Sequence, residues 1–178
     1  MFTFPVGVFP DVPLPPSSLL NTHAMTSNNS VGYVSDASLD AVGAYKVFDQ
    51  NGTSRWVYFS TPTFSNTPPY PALNSRSKFN ITANMEWLTF DLGVSKTVTS
   101  FTIQASGNLG RTPATFKVYA SPDGITWTER YTTTGNVWTS AEIKTFVTSP
   151  FSGQHFGFSF LNVDGAGTII DLAEITFI

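Results

Sequence analysis

The chain is 178 residues long, the size of one domain or one domain with an arm, and its formal net charge is −3 with charged residues at only 12%. That balance argues against a nucleic-acid binder that relies on phosphate contacts; the lack of cysteine rules out disulfides, zinc–thiolate sites and thiol nucleophiles; and no run of about 18 apolar residues predicts a membrane-crossing helix. Hydrophobic residues at 41%, with 16 Phe, supply a core, while 24 Thr and 19 Ser against 16 Lys, Arg, Glu and Gln favour strands over long exposed helices.

Residues 1–19 hold five of the 12 prolines, interleaved with Phe2, Phe4, Val6, Val8, Phe9 and Val12. Proline fixes φ and removes donors, so this stretch reads as an extended arm. An apolar arm either docks on a partner or covers the edge of its own core. The N-terminus has no basic segment and proline breaks its apolar run, so no secretory signal is expected and folding is expected in a cytoplasm.

From Leu20 onward strand follows strand. One helical turn is predicted around Ala41–Phe48. Residues 57–85 hold Pro62, Pro68, Pro69 and Pro71 with scattered aromatics, and read as a long loop, either functional or disordered. Trp87 to Leu92 alternates and ends in a turn at Gly93. Val98 to Ala105 alternates, with Phe101, Ile103 and Ala105 on one face and Val98, Ser100, Thr102 and Gln104 on the other. Thr115–Ala120 and Thr126–Thr134 form a hairpin around Pro122-Asp123-Gly124. Ala141–Phe146, the Phe-rich His155–Leu161 and Ile169–Ile178 complete seven or eight short strands. The predicted fold is all-β, an antiparallel sandwich or jelly roll.

Asp49-Gln50-Asn51-Gly52-Thr53-Ser54 offers oxygens at positions 49, 51, 53 and 54 in a turn-rich segment. On turn chemistry it reads first as an Asx turn, and second as a cation loop completed by a carboxylate such as Glu174. No nucleophile elbow, phosphate-binding loop or zinc-protease motif is present, and catalysis is not expected.

Five segments taken together are recognisable: Met25-Thr26-Ser27-Asn28, Ala44 to Trp56, Glu86 to Gly93, Phe116 to Thr128, and Leu172-Ala173-Glu174-Ile175. In this order and spacing they resemble the discoidin (coagulation-factor C-type) family, which includes galactose-binding-like carbohydrate-binding modules. The resemblance covers residues 20–178, leaving 1–19 as an anchoring arm. The Met-Thr-Ser-Asn opening resembles discoidin domains of bacteriophage tail and other virion proteins.

The resemblance implies a jelly-roll β-sandwich and one structural calcium. Asp49, Asn51, Ser54 and Glu174 would hold it, with carbonyls of Lys46 or Val47 and of Ala173. The family usually has glycine where Gln50 stands, so a positive φ there would strain Gln50. Trp56, Trp87 and Trp127 fall on the family's core positions. Sugar binding would use loops at one end of the sandwich, an aromatic ring beside a few polar groups. The candidates are Tyr58, Phe59, Tyr70, Asn74 and Arg76 in the long loop, Asn108 and Arg111 in the next, and Asn136, Trp138 and Asp164 in a third. Arg111 reads equally as a loop brace, and Trp138 is placed in a turn where it would be exposed.

The expected function is a non-enzymatic bacteriophage virion surface protein, a tail, fibre or decoration component. Residues 1–19 would join it to other virion subunits in an oligomeric assembly, and the loops would meet a host-surface glycan. The alternatives are a free-standing or secreted bacterial lectin-like module, and a structural adaptor that binds no glycan.

Overall fold

Alternation of buried and less buried residues over 88–92, 101–105 and 114–118 builds much of the core. The computed structural model describes residues 25, 27, 29–30, 33–37, 41–59, 79, 86–166 and 169–178, with residues 29–30, 33–37, 41–42 and 58–59 described by backbone alone. The expected anchoring arm, residues 1–19, lies outside the described residues. In order, the strands are β1 (Asn29–Ser30), β2 (Tyr33–Ala37), β3 (Trp56–Phe59), β4 (Glu86–Ala105), β5 (Pro113–Ser121), β6 (Thr128–Thr133), β7 (Ile143–Val163) and β8 (Ile169–Phe177). The predicted helical turn is a 3-10 helix, Ala41–Val47. Among the described residues no helix is long and apolar enough to cross a membrane.

All pairings are antiparallel. The N-terminal half of β4 and the C-terminal half of β7 lie in one layer, ordered β1-β2-β4-β7-β5-β6. Their other halves form the second layer with β8 and β3. The two long strands thus serve both layers, as the twist of a jelly roll requires.

Two sequence expectations are corrected here. Gly93 does not end a strand: β4 runs on through it, with register shifts between Asp91 and Lys96 and again between Val98 and Ser100. Those irregularities bend the strand from one layer to the other. The second also breaks the alternation, so Val98 is fully buried rather than on the polar face. Likewise the predicted strands Ala141–Phe146, which starts only at Ile143, and His155–Leu161 belong to one strand, β7.

The interior is a Phe lattice. Phe101 meets Phe116, Phe146, Phe158 and Phe177 at centroid distances of 5.1–6.3 Å, and all five are buried. These distances lie in the range where aromatic pairs add to area burial. Trp56 is fully buried in the same core.

A second, smaller cluster sits on the outer face of the first layer. Phe116, Val118 and Ala120 of β5 point inward, so Tyr119 points out. It stacks on Phe79 at 4.5 Å, Trp127 meets Phe79 edge-on at 4.8 Å, and Trp87 completes the cluster. Trp87 and Trp127 are therefore packing residues, though in this outer cluster rather than the main core. Gly157 forms its floor: a Cβ there would lie 2.1 Å from the Phe79 ring.

Candidate functional site

Two polar centres stand out, both organised by β8. The first is the loop between the 3-10 helix and β3. Asp49 Oδ1 accepts from the Asn51 amide at 2.9 Å, and Asn51 Oδ1 accepts from the Thr53 amide and hydroxyl at 3.2 and 2.7 Å. These Asx turns curl the chain. They also turn the Asn51 side chain away, so its carbonyl faces inward. The Ser54 hydroxyl gathers the rest: Asp49 Oδ2 lies 2.5 Å from it, the Asn51 carbonyl 3.0 Å and the Lys46 carbonyl 3.4 Å. Gln50 has φ of 58°, the left-handed conformation that glycine adopts freely.

Glu174 of β8 faces this loop. It is buried, and neither carboxylate oxygen makes a hydrogen bond of ordinary geometry. Burial, and then the neighbouring Asp49 carboxylate, push its pKa up to about 8; the Asn51 and Gln50 amides pull weakly the other way. A buried carboxyl without partners beside a second carboxylate is unfavourable until a cation or proton balances it. The donors at hand are two carboxylates, two carbonyls and a hydroxyl, all oxygen. Among the described residues no three His, Cys, Asp or Glu side chains gather as a metal group. Such a set suits a hard cation that also takes carbonyl and water oxygens. The predicted residues Asp49, Asn51, Ser54 and Glu174 therefore come together, with Asn51 acting through its carbonyl.

The second centre lies where the β4–β5 loop and the loop before β8 meet. Asp171 is fully buried, and its Oδ2 accepts from Asn108 Nδ2 at 2.8 Å and from Arg55 at 3.2 Å. Its Oδ1 is buried without a hydrogen bond. The Asp171 amide donates to the Arg111 carbonyl at 2.9 Å, which holds the Arg111 backbone beside the cluster and leaves the residue half-buried. Gly110 and Gly165 let the two loops touch: a Cβ on Gly165 would lie 2.6 Å from Gly110 Cα. Asn108, Arg55 and Asp171 thus form one polar group at one end of the sandwich, with the Arg111 backbone beside it. Asn108 and Arg111 were predicted. Arg55 and Asp171 were not singled out.

The third predicted loop is corrected. Trp138 is 4% exposed, its Nε1 donates to the Pro113 carbonyl at 2.8 Å, and its ring packs on Phe146. It fills the gap between the layers and cannot present a ring to a ligand. Asp164 is a brace: its carboxylate accepts from the Thr112 and Trp138 amides at 3.2 and 3.1 Å. Asn136 donates to the Ala114 carbonyl and Thr133 hydroxyl, fixing the turn after β6. Tyr58 enters as backbone, paired with Ile170. Its side chain and that of Phe59, and all of Tyr70, Asn74 and Arg76, lie outside the described residues.

The fold has known relatives. The sequence profile described as F5/8 type C domain matches residues 25–175. Bovine lactadherin (Bos taurus) is 37% identical over 73 residues, covering 37% of this chain but only 17% of lactadherin. A family 32 carbohydrate-binding module from Clostridium perfringens NanJ, solved with galactose, superposes with a TM-score of 0.58 at 16% identity, covering 83% of this chain and 93% of that one. Chitosan-binding module 2 of a chitosanase/glucanase from Paenibacillus sp. IK-5, solved with chitotriose, gives 0.57 at 17% identity, over 82% of this chain and 95% of that one. These neighbours are carbohydrate-binding modules, a non-catalytic type of domain, although the one in AlyQ is joined to an alginate lyase domain.

Proposed function

Because the chain belongs to the F5/8 type C domain family, we propose that it is a non-catalytic module that binds carbohydrate at the loop end formed by Arg55, Asn108, Arg111 and Asp171. The observation that carries this reading is the pairing of exposed Arg55 and half-buried Asn108 on one buried carboxylate, Asp171, which fixes both side chains at the loop end. Sugar hydroxyls both donate and accept. The Asn108 amide and the Arg55 guanidinium, held in place by Asp171, offer both kinds of partner. The relatives solved with galactose and with chitotriose make a neutral hexose or an amino-sugar chain the first ligands to try.

Two finer proposals accompany it. Calcium at Asp49, Asn51, Ser54 and Glu174 would be structural, tying the loop before β3 to β8. The setting is a bacteriophage virion, joined to other subunits through residues 1–19; this rests on the Pro- and Phe-rich arm and the Met-Thr-Ser-Asn opening. A free-standing lectin-like module uses the same glycan end and needs no partner for the arm.

A glycan array tests the binding site. Wild type should bind a subset of glycans, and Arg111→Ala and Asn108→Ala should lose that binding while melting as folded proteins. If wild type binds no glycan, or both variants bind as wild type does, the assignment fails. Deleting residues 1–19 separates the settings. Loss of incorporation into particles with glycan binding intact supports the virion arm, whereas unchanged incorporation removes it.

A further inference from the structure

We propose that the first half of β7 is a self-pairing edge, joining two copies of this chain antiparallel across Ile143–Val147 about a two-fold axis at Thr145. Residues Ile143–Val147 pair with Ser100–Gln104 of β4 on one side. On the other side no strand lies among the described residues, because β5 pairs with β7 only over His155–Val163. An edge strand presents a row of backbone donors and acceptors, and folded proteins guard it with charge, proline or cover. The edge strand β6 is guarded in this way, carrying exposed Glu129 and Arg130.

The β7 edge is not. Ile143 and Val147 are 61% and 76% exposed, and Thr145 between them is exposed too. The one charge in this stretch, Lys144, is turned to the opposite face. There its ammonium lies 4.7 Å from the Trp138 ring centroid and donates to the Val137 carbonyl. Ile, Thr and Val are also the residues that strands favour.

A second copy is the occupant because the row is self-complementary. A two-fold axis through Thr145 sets Ile143 of one copy opposite Val147 of the other, twice, with Thr145 facing Thr145. On the reverse face Lys144 falls opposite Phe146, so like charges never meet. This is the isologous geometry of a two-fold dimer, and aliphatic and Thr–Thr cross-strand pairs are favourable. It extends the second layer of one copy into that of the next. The contact is smaller than the roughly 800 Å² per partner of stable complexes, so the dimer should be weak and concentration-dependent.

Sedimentation velocity on the full chain, from about 10 μM to about 1 mM, reads the association. Wild type should shift towards dimer mass. Thr145→Asp, which sets two carboxylates face to face on an exposed site, should weaken the dimer about tenfold or more with the same melting curve. Val147→Lys serves as the second variant. The chain has no cysteine, so Thr145→Cys can be oxidised or bridged by a short bis-maleimide against a clean background. It should cross-link to dimer, whereas Ile125→Cys, at an equally exposed site on the β5–β6 turn, should not. A wild type that stays monomeric throughout, equal cross-linking at both sites, or a dimer that survives both Thr145→Asp and Val147→Lys overturns the proposal.

Discussion

Gln50→Gly should stabilise the protein. Gln50 sits at φ of 58° with its side chain exposed. A left-handed conformation costs a residue with a Cβ about 1–2 kcal/mol, and glycine is free of that cost. Glycine in turn loses more backbone entropy on folding, about 0.5–1 kcal/mol. The difference leaves a gain of about 0.5–1 kcal/mol. With a urea slope of about 2 kcal/mol/M, the unfolding midpoint should rise by about 0.25–0.5 M with the slope unchanged. Tryptophan fluorescence follows the transition, since Trp56 and Trp87 are buried. Gln50→Ala is the control: it keeps the Cβ and the strain, so its midpoint should stay within about 0.3 kcal/mol of wild type. The gain should also be the same with calcium or with chelator, because the oxygens facing Glu174 come from Lys46, Asp49, Asn51 and Ser54. A Gln50→Gly midpoint equal to or below wild type would refute the strain argument, and an equal rise for Gln50→Ala would assign the effect to the side chain.

The other predictions concern the cation loop, the core and the turns. Calcium at about 100 times its dissociation constant should raise stability by about 2.7 kcal/mol, and Glu174→Gln should abolish the increment in a chelator-reversible melting assay; no shift at millimolar calcium rejects the site. Trp138→Ala should cost about 3–5 kcal/mol in urea unfolding, while Trp138→Phe should fold and keep any glycan binding; if folded Trp138→Phe loses binding, the ring touches ligand after all. Asp123 is held at a pKa of about 2 by the Thr126 and Ile125 amides and the Ser121 hydroxyl. Its lowered folded-state pKa gives stability that is present above the ordinary carboxylate range and lost as pH falls through 2, so Asp123→Asn should be weaker than wild type at pH 7 and equal to it once both are measured near 2. Gly157→Ala must displace the Phe79 ring, which should cost about 1–3 kcal/mol. That cost should shrink in a Phe79→Ala background, and a cost unchanged there would show that the contact is not the cause.

Much of the fold was legible because a half-buried strand writes its environment into every second residue. Phe116, Val118 and Ala120 alternate with Lys117 and Tyr119, and the structure buries the first set in the main core. What local pattern could not show is continuity. Asp91-Leu92-Gly93 has turn chemistry, and the Gly93 amide does bond Asp91 Oδ1 at 2.7 Å. A turn of that kind either reverses a chain or bends a strand, and only the partners decide. Here β7 lies alongside β4 on both sides of the irregularity, so the strand bends. The gathering of Asp49, Asn51 and Ser54 was legible for a related reason: they lie within a few residues of each other, and only Glu174 is distant. Trp138 was misplaced because Gly135 and Asn136 identify a loop without saying which way its next large side chain points.

Arg55 and Asp171 were missed at the loop end because their contacts span 116 residues from Arg55 to Asp171 and 63 from Asn108 to Asp171. Nothing in the chain near Asp171 distinguishes it from Glu174, since both are acids in an apolar strand. Their surroundings separate them. A buried carboxylate must be balanced by donors, by a cation or by a proton. Asp171 has the first, from a guanidinium and an amide, and its pairing leaves one oxygen over. Glu174 has only the Gln50 and Asn51 amides nearby, neither in ordinary hydrogen-bond geometry, and faces a second carboxylate. One rule applied to two positions of β8 therefore separates a buried brace for Arg55 and Asn108 from the proposed cation seat. The two are linked through sequence: Ser54 closes the cation loop, and Arg55 beside it reaches Asp171. A cation that fixes Ser54 fixes the base of that arginine too, which gives a metal remote from any glycan a reason to affect how well the glycan is held.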